Sequence, residues 1–326
     1  MQLALYFSHI EDLQRVEDAL EPVDLSEIES PTEEIVFFST PQGNEYLGNL
    51  TSLNRLHQCF GPEPSIERLY FGQEFCQFLL PGTDELRRAY YFSRQLGWDF
   101  TYLTPGAITD AGVETLREHF RFLADEAPGT EVVANSWGVL RVLSREFGEL
   151  RPVLGRLLNK QMRLPQDPET CPPRNLDGIR AEDPTIMENQ TRALRGLSLS
   201  LPPFRRDIAG LGVDRFEIDI VPQGVDIPPD RWGLGASCYY PWTYVTSGRN
   251  CLTAAEDQPD REFVVPDRPC SRPCRRLSAS TNLSDVKSPL LERGNTIFMF
   301  NDAFARPYLS GDVPVDRIVY TPYAPI

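Results

Sequence analysis

The chain has 326 residues, 41% of them hydrophobic, and a formal net charge of −15. That length suits one large α/β domain, no run approaches a membrane span, and so acidic a balance disfavours nucleic acid as a partner. Seven cysteines, an odd number, follow a start (MQLALYFSHIEDLQ) that lacks the basic region of a secretory signal, so a cytoplasmic protein with thiol ligands is expected rather than a disulfide framework.

Short apolar runs predict strands at 3–7, 34–38, 68–72, 100–103, 132–135, 153–157, 197–201, 216–221, 296–300 and 317–320. Helical spacing falls between several of them. Over 84–96 it sets Leu86, Ala89, Tyr90 and Phe92 near one face, and over 110–123 it does the same with Val113, Leu116, Phe120 and Leu123, with Asp110 as N-cap. Strand and helix in alternation imply parallel strands joined by crossover helices. Many such units, with no glycine-rich phosphate fingerprint after any strand, favour a (β/α)8-type barrel in a single domain spanning 1–326 over an open sheet. Two stretches break the rhythm. Residues 160–195 are polar and read as a long loop or lid; residues 222–294 are rich in Pro, Arg and Ser and read as a cysteine-rich loop region. Five of the seven cysteines fall in these two stretches, which is why they draw the functional reading.

Charge is uneven along the chain. Residues 1–35 carry ten acids and one Arg, as a solvated helix and loop would. Residues 261–276 (REFVVPDRPCSRPCRR) carry five Arg against two acids and contain two cysteines, so these arginines are placed to balance thiolate charge.

Cys76, Cys251, Cys270 and Cys274 form the candidate site. Cys76 follows the strand end at Gly72, Cys251 closes SGRNC, and three residues separate Cys270 from Cys274, close enough to serve two corners of one centre. In a barrel the working groups sit beyond the carboxyl ends of the strands, where Cys76, Asn135 and Trp137 and the 247–251 turn are all expected. Four thiolates suit an iron–sulfur cluster or zinc, and unligated buried thiols are the third reading. The paired Cys-x2-Cys knuckles of structural zinc sites are absent. Cys238, in GASCYYPW, competes with Cys76 as fourth ligand, or packs as a small apolar residue beside Tyr239, Tyr240 and Trp242. Cys59 and Cys171 have no ligand context and read as structural. Tyr239, Tyr240, Trp242 and Tyr244 would suit an aromatic substrate, or would pack around the cysteine loop. Arg249 and Arg275 would hold an anionic substrate or balance thiolate charge. Proteolysis has little support: neither a Gly-x-Ser-x-Gly elbow nor a His-Glu-x-x-His helix is present, and His57 lies two residues from Cys59, where either a helix or a strand turns the pair apart.

The segments LYFGQEFC at 69–76, NSWGVL at 135–140, SGRNC at 247–251 and CSRPCR at 270–275 resemble the collagenase-like peptidase family (peptidase family U thirty-two), in particular its smaller oxygen-independent ubiquinone-hydroxylation members. The resemblance covers roughly residues 65–280. It implies a (β/α) barrel with a [4Fe–4S] cluster on Cys76, Cys251, Cys270 and Cys274, which would set Cys238 aside. It also implies a redox or hydroxylation component of ubiquinone-biosynthesis type, acting on a small aromatic substrate. A cluster-stabilised, non-catalytic subunit in a heterodimer with a second family member is the alternative, and a peptidase the third. The chain departs from the family pattern at Ser136, where Asp is usual after Asn135. The span between Cys251 and Cys270 and the region before Leu69 are also longer.

Overall fold

The computed structural model describes residues 1–16, 20, 41–164, 184–256, 270–282, 286 and 290–326. The expected strand at 34–38 and Cys171 lie outside them. Among the described residues are twelve strands: β1 (Gln2–Phe7), β2 (Arg68–Gly72), β3 (Asp99–Leu103), β4 (Glu131–Ala134), β5 (Arg151–Leu154), β6 (Arg215–Asp219), β7 (Gly235–Tyr240), β8 (Trp242–Ser247), β9 (Ala279–Thr281), β10 (Leu290–Arg293), β11 (Thr296–Phe300) and β12 (Arg317–Tyr320).

Eight of them close a parallel barrel in the order β1-β12-β7-β6-β5-β4-β3-β2, and β1 pairs with β2 to complete the ring. Helices lie between the strands: α1 (Pro41–Phe60), α2 (Thr83–Gln95), α3 (Asp110–Glu126), α4 (Trp137–Glu146), α5 (Pro184–Arg195) and α6 (Pro202–Ala209). This is a TIM barrel. Between the seventh and eighth barrel strands the usual helix gives way to an antiparallel sheet of order β8-β11-β10-β9, with the short helices α7 (Leu252–Glu256) and α8 (Arg306–Leu309). Among the described residues no helix is long and apolar enough to cross a membrane.

Within the stretch expected as a loop region, 222–294, the described residues supply barrel strand β7 and three strands of the inserted sheet. Its apolar face is built from aromatic and β-branched residues set among Pro and Arg, which mask the period of two. Likewise α5 occupies the end of the expected lid. The expected strand at 197–201 is instead a 3₁₀ turn, Ser198–Ser200. The Ser200 hydroxyl accepts from the Leu197 amide, and Pro202 and Pro203 then start α6, so Leu197 and Leu201 are extended but the turn between them breaks the strand. The strand at 296–300 forms as β11, but in the inserted sheet. The N-cap of α3 is Thr109, whose hydroxyl accepts from the Gly112 amide, and Asp110 is the first helical residue.

The amino-terminal end of the barrel interior is charged. Arg317 of β12 donates to Glu131 of β4 at 2.6 and 3.2 Å, with Arg68 and Arg215 beside the same carboxylate. Burial alone would raise the Glu131 carboxyl, but the Arg317 hydrogen bonds and the charges of the three arginines outweigh it and hold it at about 2. A carboxylate depressed from about 4.5 to about 2 stabilises the fold above the upper value, and loses that contribution as pH falls toward the lower one. The stabilisation is on the order of 3 kcal/mol. Glu131→Gln is expected to lower stability at pH 7 by about 3–5 kcal/mol, because Arg317 stays buried without a counter-charge. It should also flatten the decline between pH 4.5 and 2. Chemical denaturation across that pH range checks both; an unchanged acid limb would contradict the assignment.

Candidate functional site

The other end of the barrel, where the strands finish, is closed. Arg156, just beyond β5, is fully buried. It donates to both Glu74 carboxylate oxygens at 3.0 and 2.6 Å and to Asp219 at 2.6 Å. Its guanidinium lies 3.8 Å from the Tyr239 ring centre, with the rings of Phe75 and Tyr244 farther out. Arg163 takes the second Asp219 oxygen at 2.7 Å. Burial opposes the charge on Arg156, but the Glu74 and Asp219 carboxylates outweigh it and push its pKa up. Below this layer, burial and then the Glu74 charge push the Glu217 carboxyl well above its ordinary value. Trp242 and Tyr244 of β8 lie on the plug, Trp242 accepting from Arg156 through its carbonyl and Tyr244 donating to the Arg156 carbonyl. The barrel axis is thus occupied by protein, and the usable space at this rim lies to the side.

That space is where the cysteines are. Gly72 ends β2 at φ +131°, and a methyl on it would sit 2.4 Å from the Leu103 carbonyl oxygen. Only glycine lets the chain turn there so closely against β3 and carry Glu74 into the plug and Cys76 out to the rim. Gly72→Ala is expected to cost about 2–4 kcal/mol because backbone, not a flexible side chain, is in the way. Thermal unfolding measures it; a variant as stable as the parent would refute the steric argument.

Asn295 binds the Cys76 segment to the 247–251 turn, donating to the Phe75 carbonyl at 2.9 Å and to the Gly248 carbonyl at 2.6 Å. Thr253 and Gly294 exchange hydrogen bonds that fix α7, which follows Cys251, against the β10–β11 turn. Cys274 sits in the 3₁₀ turn Pro273–Arg275. It shares an apolar cluster with Phe75, Leu79, Trp242 and Phe298, and Cys76 packs against the same cluster. A narrow cleft of about 30 Å3 has Cys76, Cys251 and the exposed Arg249 in its wall.

The four sulfurs sense one another. Burial first, then the charges of Cys76, Cys251 and Cys270, push the Cys274 thiol up to about 12. Burial likewise raises Cys76 to about 11, with Cys251 and Cys270 adding to it and the backbone N–H groups of Phe78 and Leu79 opposing. The Ala254 amide donates to the Cys251 sulfur and the Arg272 amide to the Cys270 sulfur, each at 3.4 Å. Three of the four sulfurs therefore face backbone N–H groups two or three residues onward. Among the described residues, however, no group of three or more His, Cys, Asp or Glu side chains is gathered tightly enough to hold a single metal ion.

Other candidates fall away from this site. Cys238 is fully buried in β7, within the main core cluster. Cys59 is exposed on α1, so it is not a core residue, and His57 on the same helix lies two positions away, on a different face. The four aromatic candidates are buried: Tyr239 donates to Glu217, Tyr240 to Asp302 and the Ser52 carbonyl, and Trp242 and Tyr244 lie on the plug, so none is open to a substrate ring. Asn135 is structural, donating to the Thr104 carbonyl and accepting from the Leu157 amide. Trp137 is half exposed and meets Phe204 edge-on, far along the rim. Arg275 lies 3.9 Å from Glu11 and 3.3 Å from His9.

No family model and no curated protein matches the chain. Among solved structures it is similar to a glycoside hydrolase family 18 N-acetylglucosaminidase from Paenibacillus barengoltzii, at 9% identity over 98% of this chain and 94% of that one, with a TM-score of 0.31. It is also similar to the spore cortex-lytic enzyme SleL of Bacillus megaterium, at 9% identity over 98% and 70% of the two chains, TM-score 0.30. A chitinase from Trichuris suis shows 10% identity over 99% and 92%, TM-score 0.30. Likeness at this level carries nothing about chemistry, and the barrel assignment rests on the strand order itself.

Proposed function

We propose that the chain is an iron–sulfur protein that holds a [4Fe–4S] cluster between the barrel rim and the inserted sheet, through Cys76, Cys251, Cys270 and Cys274. The observation that carries this reading is that Cys76, Cys251 and Cys270 all act on the Cys274 thiol, and Cys251 and Cys270 on Cys76, so that thiols from three separate segments lie near one another. The donor set fits. Zinc at a Zn–S distance of about 2.3 Å would need its sulfurs roughly 3.8 Å apart. A polynuclear cluster spreads its cysteine sulfurs more widely than a single ion does. The amide hydrogens of Phe78, Ala254 and Arg272 are placed to stabilise negative charge on sulfur. Phe75, Leu79 and Trp242 limit water beside it. Bound there, a cluster supplies one-electron transfer.

The motifs resembling peptidase family U thirty-two extend the reading to a component of oxygen-independent hydroxylation of ubiquinone-precursor type, working with a second family member. The closed barrel axis favours a variant of this, in which the cluster staples the inserted sheet and the chain serves as a non-catalytic subunit. Protein purified without air should contain about four iron and four sulfide per chain and give, once reduced, an electron paramagnetic resonance signal of a cluster. Stoichiometric zinc in a colourless protein would overturn the proposal. Reactivity that appears only when the second family member is added would mark the subunit role.

A further inference from the structure

A second space opens at the same rim, at the seam between the first and eighth barrel strands. It measures about 440 Å3, within the range of small-molecule sites. Ser8 and His9 enter it from the end of β1, Tyr323 and Ile326 from beyond β12, and Arg276 and Arg293 from the inserted sheet and the loop before it. Its position beyond the strand ends is where barrels of this kind bind ligands.

We propose that this cavity binds a compact organic anion, a carboxylate or phosphate head on an apolar body, with Arg276 and Arg293 on the head. Four observations support this, and none depends on a metal at the cysteines. First, three arginines, Arg275, Arg276 and Arg293, line the cavity against two acids, Glu11 and Asp12, in a chain whose overall charge is −15. The cationic excess is local and runs against the whole. Second, Arg276 is exposed and makes no ion pair among the described residues, while Arg275 already lies near Glu11 and His9. Third, Ser278 and Tyr323 add hydroxyl-bearing side chains to the cavity wall beside the arginines. Fourth, Leu277, Ala324 and Ile326 give the wall an apolar side. A guanidinium matches the planar, two-oxygen face of a carboxylate or phosphate, which sets the head class. The half-buried His9, its pKa lowered to about 4 by burial and the Arg275 charge, is neutral at pH 7 and adds no charge of its own.

The test is calorimetric titration of the full chain with benzoate, phenyl phosphate and the neutral isostere benzamide, at low and high salt. At least one anion should bind with a Kd below about 1 mM, benzamide at least tenfold more weakly, and salt should weaken the anion. Stronger binding of benzoate or of phenyl phosphate tells the two head classes apart. Arg276→Gln and Arg293→Gln should each weaken the anion about tenfold, while Arg192→Gln, on the distant helix α5, should not. Arg276 is exposed, so its variant is expected to stay folded, and its melting temperature is the check. No binding of either anion at 10 mM, equal binding of benzamide, or binding untouched by both arginine variants would each overturn the proposal.

Discussion

Cys274→Ala protein purified without air is expected to be colourless and to hold less than about a tenth of the parent's iron. Cys274 is buried in the inserted sheet's apolar cluster and is the thiol raised by all three of the others, so it sits at the centre of the set. Removing it leaves three thiols, and a buried position with no replacement ligand within the apolar cluster. Metal binding and local folding are coupled at such a site, so the loop that carries Cys270 and Cys274 should also become sensitive to protease. Cys238→Ala is the control. That side chain lies in the barrel core and takes no part in the set, so its loss should leave the colour intact and cost about 1 kcal/mol or less as a small cavity. Absorbance, iron content and limited proteolysis on both variants read the prediction. Full iron content in Cys274→Ala, or bleaching in Cys238→Ala, would remove the assigned ligand set.

Much of the barrel was legible because its strands are buried on both faces. Runs such as LYF of β2 and VV of β4 show themselves without alternation, and the helices between them carry a clear 3.6-residue period. The inserted sheet was hidden for a physical reason. GASCYY and WTYVTS are separated only by Pro241, and a proline between two apolar runs reads as a loop, whereas here it is the point where the chain leaves the barrel for the second sheet. Leu197–Leu201 misled in the other direction, since Leu and Ser in alternation mimic a strand while the serine hydroxyl and the following prolines bend the chain. At the site, the cysteines were visible by spacing alone, but the residues that position them were not. Asn295 gives no local signal, and its role exists only because the Phe75 and Gly248 carbonyls meet in space. The plug did leave a trace: Glu74, Arg156 and Asp219 are charges set inside apolar runs, a pattern that signals a buried ion network. The aromatic cluster after Ala236 was open to two readings, a substrate platform or packing, and the rings are buried, with Tyr239, Trp242 and Tyr244 on the plug and Tyr240 against Asp302 and Tyr320.

Arg156→Ala is expected to be the most destabilising single change at this end of the barrel. The side chain is fully buried and neutralises Glu74 and shares Asp219 with Arg163. Its removal strands the Glu74 carboxylate without a counter-charge, at a cost of about 3–5 kcal/mol. For a chain of this size that is a fall of roughly 4–7 °C in melting temperature. The effect should reach the inserted sheet, because the Arg156 guanidinium donates to the Trp242 carbonyl and lies against the Tyr244 ring. Iron content should therefore fall with stability, although Arg156 is no ligand. The double variant Arg156→Leu with Glu74→Leu separates charge from packing. It removes one charge of each sign, leaves Asp219 paired with Arg163, and keeps the space filled with apolar atoms, so it should recover most of the lost stability. If the double variant melts as low as Arg156→Ala, packing and not the ion network holds the mouth shut; if Arg156→Ala melts within 1 °C of the parent, the plug contributes nothing to the fold.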